Sequence, residues 1–209
     1  MKKMNFLFSV LLLAFILITS CDSDDSTETQ SDNTQFTDPR DNQVYSVVEI
    51  GQQFWMVKNL NYETGNSWCM VDNISNCDTH GRLYDWQTAL TACPDGWHLP
   101  TDSEWTILAN NLGGASLAGG KLKSTTAWEL SCSHTTNSSG FTAIPGGYRT
   151  GNGYYSNFSE EGNWWSSTEY NNTLSWRREL QTINCAENDI LFRTTFPKIY
   201  GLSCRCIKN

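Results

Sequence analysis

Basic residues are scarce in this chain: 14 Lys and Arg stand against 22 Asp and Glu, for a formal charge of −8 over 209 residues. So acidic a protein lacks the positive footprint that nucleic-acid binding requires, and nucleic acid is excluded as a partner. Histidine is scarcer still, with three residues scattered at 80, 98 and 134. No CxxC pair occurs, since Cys204 and Cys206 are separated by one residue, so zinc-ligand spacing is absent and no metal is expected. No GK[ST] follows any of the glycines, which excludes a phosphate-binding loop, and no motif ties a serine or cysteine nucleophile to His98. No cofactor is expected. Long apolar runs are also missing. The one candidate, Phe6 to Ile18, is too short and wrongly flanked for a membrane-spanning helix.

That run has a different use. Lys2 and Lys3 precede it and Ile18-Thr19-Ser20-Cys21 ends it, the layout of a secretory signal over residues 1–20. Its ending resembles the lipobox of bacterial lipoproteins, which implies that Cys21 is diacylated and becomes the first residue of the mature chain. The plainer alternative is an ordinary signal peptide with an incidental cysteine. Lipidation is favoured because the cysteine, the small residues and an abrupt switch to acidic sequence coincide. The lipid makes a membrane the first partner. The expected location is the cell envelope, in the outer membrane, with the domain facing outward as one arrangement. Residues 22–35 contain no large apolar side chain and read as a flexible acidic tether. The domain then runs from 36 to 209.

Seven cysteines remain after Cys21, at 69, 77, 93, 132, 185, 204 and 206. In an exported protein they read first as a disulfide framework, and the odd number leaves one thiol free or shared between chains. Cys69 and Cys77 are placed to close a small loop.

The element pattern is α+β. Val44–Ile50 and Gln53–Val57 read as two strands joined at Gly51-Gln52. Tyr84 to Cys93 has helical spacing and stops at Pro94. Thr101-Asp102-Ser103-Glu104 is a capping box that opens a second helix through Trp105, Leu108 and Leu112. Strand fragments follow at 141–148, 163–168, 174–182, 189–196 and 200–207, separated by Gly-, Asn- and Ser-rich loops. Within the capping segment Trp97, Leu99 and Trp105 are expected to fill core, and His98 to be a hydrogen-bonded structural residue.

Eight segments in register resemble one family. They are Phe36-Thr37-Asp38-Pro39-Arg40-Asp41; Ile50-Gly51-Gln52-Gln53-Phe54-Trp55-Met56; Asn59-Leu60-Asn61-Tyr62; Gly81-Arg82-Leu83-Tyr84-Asp85-Trp86; Cys93-Pro94-Asp95-Gly96-Trp97-His98-Leu99-Pro100-Thr101-Asp102-Ser103-Glu104-Trp105; Gly140-Phe141 through Tyr148-Arg149; Trp164-Trp165-Ser166-Ser167-Thr168; and Gly201-Leu202-Ser203-Cys204-Arg205-Cys206-Ile207-Lys208. Together they are similar to the Fibrobacter succinogenes major paralogous domain, a family of exported bacterial proteins with no established biochemical activity. The Trp-x-Leu-Pro-Thr-x-x-Glu-Trp run and the Gly-x-Ser-x-Arg-Cys ending also resemble the formylglycine-generating-enzyme-like branch of the C-type-lectin fold. That resemblance implies two helices, a twisted antiparallel sheet with long loops, terminal strands close together, and a Cys93–Cys206 bridge from helix to last strand. The calcium-binding tripeptides of C-type lectins are absent, as is any counterpart of the formylglycine enzyme's reactive cysteine pair.

The exposed chemistry expected of such a domain lies after residue 140. Tyr148 and Arg149 follow a Gly-Gly turn, and Tyr154, Tyr155, Trp164, Trp165, Tyr170 and Trp176 are interleaved with Asn, Ser and Gly. Rings that stack on sugar C–H faces beside amides that bind hydroxyls make a glycan or protein surface. The plainer alternative is that the rings anchor long loops, and of the Trp164-Trp165 pair at least one is expected in the core. The functional expectation is a lipid-anchored, non-catalytic binding module for glycan or surface protein. The alternatives are an assembly subunit bridged through its odd cysteine and, third, an envelope enzyme acting on polysaccharide.

Overall fold

The computed structural model describes residues 34–130, 132–182 and 190–209. The expected signal peptide and tether up to residue 33, with Cys21, and Cys185 lie outside the described residues. Gln35, at the end of the expected tether, already pairs with Ser46 in a strand.

The described chain is mixed helix and sheet. A first sheet is built from β1 (Gln35–Thr37), β2 (Val44–Ile50), β3 (Gln53–Met56), β6 (Trp97–His98) and β13 (Ile207–Lys208), in the order β1-β2-β3-β13-β6. The β2–β3 hairpin is the one expected, with Gly51 at φ +68° in its turn. The last strand, β13, pairs antiparallel with both β3 and β6, so the C-terminal strand joins the sheet of the N-terminal hairpin. A second sheet contains β4 (Ser67–Trp68), β5 (Leu83–Tyr84), β9 (Glu161–Glu169), β10 (Leu174–Gln181), β11 (Phe192–Pro197) and β12 (Leu202–Ser203), ordered β11-β10-β9-β12-β5-β4. It is antiparallel except where β12 runs parallel to β9. A separate hairpin joins β7 (Tyr148–Arg149) to β8 (Tyr155–Ser156).

Four α-helices appear among the described residues, not two: α1 (Ile74–His80), α2 (Trp86–Ala92), α3 (Asp102–Asn111) and α4 (Ala115–Leu122). Helices α2 and α3 are the expected pair. Asp85 caps α2 through the Thr88 amide, and both halves of the Thr101–Glu104 capping box are made on α3. Helices α1 and α4 lack a comparable sequence signature. The 141–148 segment is strand only at its end, with an isolated bridge from Ala143 to Lys123.

Two cores flank β3 and β9. Trp55, Trp105, Leu108, Phe141, Trp164 and Leu180 belong to one. Met56, Leu60, Tyr84, Trp86, Trp97, Trp165 and Cys206 belong to the other. A strand's period of two sends Trp55 and Met56, and likewise Trp164 and Trp165, to opposite faces, and here both faces are covered. The indoles are anchored: Trp164 donates to Asn59 Oδ1 at 2.8 Å, and Trp165 to the Tyr84 carbonyl at 2.7 Å.

Cys69–Cys77 and Cys93–Cys206 are bonded, and Cys132 is disulfide-bonded as well. The free thiol among the described residues is Cys204, fully buried between β12 and β13. A thiol so placed does not reach a second chain. Beside it, Arg205 has no exposed surface. Its guanidinium donates to the carbonyls of Met56, Val57 and Phe141 at 2.6–3.0 Å and to Asn59 Oδ1 at 2.8 Å. Burial pushes it down to about 9, so it remains a cation at neutral pH. It ties the C-terminal segment to the end of β3 and to the loop at 141.

Candidate functional site

The structure does not collect the eight nominated side chains into one groove. Trp164 and Trp165 are both 0% exposed. Neither ring has a free face, so neither belongs to a binding surface, and both are corrected to core. The other six divide among three places.

Tyr148 is half-buried under β11. Its ring meets Phe196 edge-on at 5.2 Å and stacks on Tyr200 at 6.2 Å. The preceding Gly147 has φ +62°, and a Cβ there would sit 2.4 Å from the Ser156 carbonyl, so the β7–β8 hairpin requires glycine at this point.

Arg149, the next residue, points to the opposite side of β7. Its guanidinium lies 4.2 Å from the Trp68 ring and 5.8 Å from that of Tyr155. The Tyr155 hydroxyl donates to Asp72 at 2.5 Å. Desolvation first, then that acidic neighbour, raises the phenol above its ordinary value. Tyr154, at the hairpin tip, is 72% exposed. Trp68 and Asp72 were not legible as partners, because they come from a segment some 80 residues earlier in the chain.

The third place is a platform at the β9–β10 turn. Tyr170, 53% exposed, meets Trp176 edge-on at 5.0 Å, and the Arg193 guanidinium covers the Trp176 ring at 3.4 Å. Arg193 is itself held by Asp102, at 2.9 Å, which also takes Arg178 at 2.5 Å. Partial burial works to raise the Asp102 carboxyl, but hydrogen bonds from Arg193 and Arg178 outweigh it and hold it below the usual carboxylate range. Asp102 therefore serves twice, in the first turn of α3 and as the anchor of the platform. Arg193 opposes Arg178 across β10–β11, a register that no local sequence signal predicts.

One larger cleft, about 500 Å³, is lined by Glu129, Leu130, Glu160, Glu161, Gln181 and Thr182. Burial raises the Glu161 carboxyl, and Glu179 adds to the effect. Amides of Asn157 and Asn163 donate to Glu161 at 2.6 and 3.3 Å. One strand over, Glu179 pairs with the buried Arg177 at 2.6 Å.

His98 is structural, bonded to Glu104 at 2.8 Å and to Asn209 at 2.7 Å, and so fastens α3 to the C-terminus. Neither curated proteins nor solved structures include a significant match to the chain. The model of the Fibrobacter succinogenes major domain matches residues 48–208, most of the chain, and that covers both cores, the disulfides and all the sites above: the protein belongs to this family.

Proposed function

We propose that this protein is a lipid-anchored component of the cell envelope whose domain is a non-catalytic binding module for glycan or protein ligands, with a C-type-lectin-like fold. The observation that carries the reading is the platform of Tyr170, Trp176 and Arg193. There the exposed Tyr170 ring packs on the half-buried Trp176, which is held by a cation that is itself fixed by Asp102. A surface ordered before binding loses little side-chain entropy when a ligand arrives. The lectin-like assignment is supported by the last strand's pairing with the N-terminal hairpin and by the capped α3 helix. The lipobox resemblance at Cys21 supports the anchor, and with it an outer-membrane location. Glycan arrays and pull-downs from envelope and host extracts, run on disulfide-intact protein, test the reading. Binding that Trp176→Ala weakens supports it, and silence on both platforms overturns it.

A second reading has its own observation. Glu161, half-buried and with its carboxyl raised, borders the cleft of about 500 Å³, where a protonated carboxyl suits the acid role in polysaccharide cleavage. Product release from a polysaccharide panel, abolished by Glu161→Gln, is its test. Turnover unaffected by that substitution excludes Glu161 as the acid.

A further inference from the structure

The platform at the β9–β10 turn has a charge pattern that narrows its choice of ligand. In a chain of formal charge −8, it gathers two guanidiniums on one carboxylate. Arg193 Nε lies 3.0 and 2.9 Å from the two Asp102 oxygens, and one of its terminal nitrogens lies 2.9 Å from Oδ2. Arg178 takes the same carboxylate at 2.5 Å and also donates to the Asp102 carbonyl and the Thr106 hydroxyl, at 2.9 and 3.1 Å. Lys198 and Glu169, the other charged pair at this turn, offset each other. Among the described residues, one positive charge is left over.

That charge is within reach of solvent. The Arg178 side chain is 3% exposed and that of Asp102 17%, but that of Arg193 is 46% exposed. The second terminal nitrogen of Arg193 has no partner among the described residues. Acids elsewhere on the domain are screened beyond about 8 Å at physiological ionic strength, so the local excess decides what is attracted here.

The rings beside the charge are fixed from below. Tyr170, 53% exposed, meets Trp176 edge-on at 5.0 Å. The Asn171 Oδ1 accepts from the amides of Thr173 and Leu174 at 2.9 Å, and the Tyr170 amide donates to the Leu174 carbonyl at 3.1 Å. Thr195 lies opposite Trp176 across β10–β11, so its hydroxyl belongs to the same face.

A guanidinium with an open edge matches a carboxylate, and exposed rings match a flat C–H face. A neutral sugar would use the rings and leave the charge unmatched. An acidic peptide would meet the charge but has no rigid C–H face for Tyr170. A sugar ring that carries its own carboxylate supplies both. We infer that the platform is a subsite for a hexuronic acid residue of an acidic polysaccharide, its carboxylate on Arg193 and its pyranose ring against Tyr170 and Trp176. The inference rests on the binding-module reading and names the ligand class of that same surface.

The test is calorimetric titration of the disulfide-intact chain with tetrasaccharides of galacturonate, glucuronate, mannuronate and guluronate. Each is paired with its neutral, carboxyl-reduced form, and tetraglutamate stands for an acidic peptide. At least one uronate should bind about tenfold or more tightly than its neutral form, the worth of a hydrogen bond between charged groups. Added salt, at about 0.5 M, should shrink that ratio. Arg193→Gln should bring the ratio close to one. Arg193→Lys, which keeps the charge beside Asp102, should retain part of it and serves as the test if the glutamine variant does not fold. Tyr170→Ala, at an exposed position, should weaken charged and neutral forms alike. The proposal is overturned if no uronate binds, if the neutral forms bind as tightly, if the ratio survives in Arg193→Gln, or if tetraglutamate matches the best uronate. Array or pull-down binding that Trp176→Ala weakens, without any preference for uronates, would keep the binding module and sink this ligand class alone.

Discussion

Removing the Cys93–Cys206 bridge should cost about twice as much stability as removing Cys69–Cys77. The two bonds close loops of very different length, with sequence separations of 113 and 8 residues. In the chain-entropy account, the unfolded chain loses about 2.1 + 1.5R ln n cal/mol/K on cross-linking, which comes to ~4.8 kcal/mol for the long loop and ~2.5 kcal/mol for the short one. At about 2–4 °C per kcal/mol for a domain of this size, the melting temperature should fall by roughly 10–19 °C in one case and 5–10 °C in the other. Both cysteines of a pair must be replaced together by alanine. A lone Cys93 thiol would otherwise be free to pair wrongly with Cys204 during folding. Guanidinium unfolding followed by tryptophan fluorescence gives the free energy and also the slope. The slope should rise more when the long bridge is lost, because the unfolded chain is then freer to expose surface. Equal costs, or a larger cost for the short loop, would refute the loop argument. The role of the long bridge in stapling α2 to the last strand would then need an account based on native packing.

Three further outcomes follow from the core. Arg205→Met removes the donor for three backbone carbonyls, while the Asn59 oxygen keeps the Trp164 indole, and at about 1–3 kcal/mol for each buried group left unpaired it should cost at least ~3 kcal/mol; a melting temperature near that of the parent would show that water replaces the guanidinium. Asp102 has its folded value depressed, so its contribution is complete above pH ~4, the unfolded value, and is lost as the pH falls through the folded one. Asp102→Asn should therefore lower stability at neutral pH and flatten the acid limb of melting temperature against pH; parallel curves would refute the ion-pair account. Burial pushes the Cys204 thiol well above its ordinary value, so a thiol reagent at pH 8 should label it only on unfolding and non-reducing gels should show no disulfide-linked dimer; rapid native labelling would contradict its place in the core.

What the sequence disclosed and what it concealed divide along a physical line. The β2–β3 turn, the α3 capping box and the short Cys69–Cys77 loop are local, so the residues that cause each feature lie within a few positions of one another. Helix α4 has the opposite character. It carries Gly119 and Gly120, each about 1 kcal/mol worse than alanine in a helix interior, and begins at Gly114 without a side-chain cap. It is held by later chain that comes back to it, since the amides of Thr136 and Asn137 both donate to the Gly120 carbonyl. Helix α1 is only seven residues long and is closed by the Cys69–Cys77 bridge and the Asn73 cap. Neither has an apolar period strong enough to read.

The same division explains why the aromatic residues after 140 were harder to place than the fold. A run such as Trp164-Trp165 advertises aromatic surface, and alternation alone would expose one ring of the two. Burial of both follows only from the covering of the second face, which packs Trp165 beside Trp86 and Trp97 in one core and Trp164 beside Trp105 and Phe141 in the other. Residue type therefore overstated the contact surface at these positions.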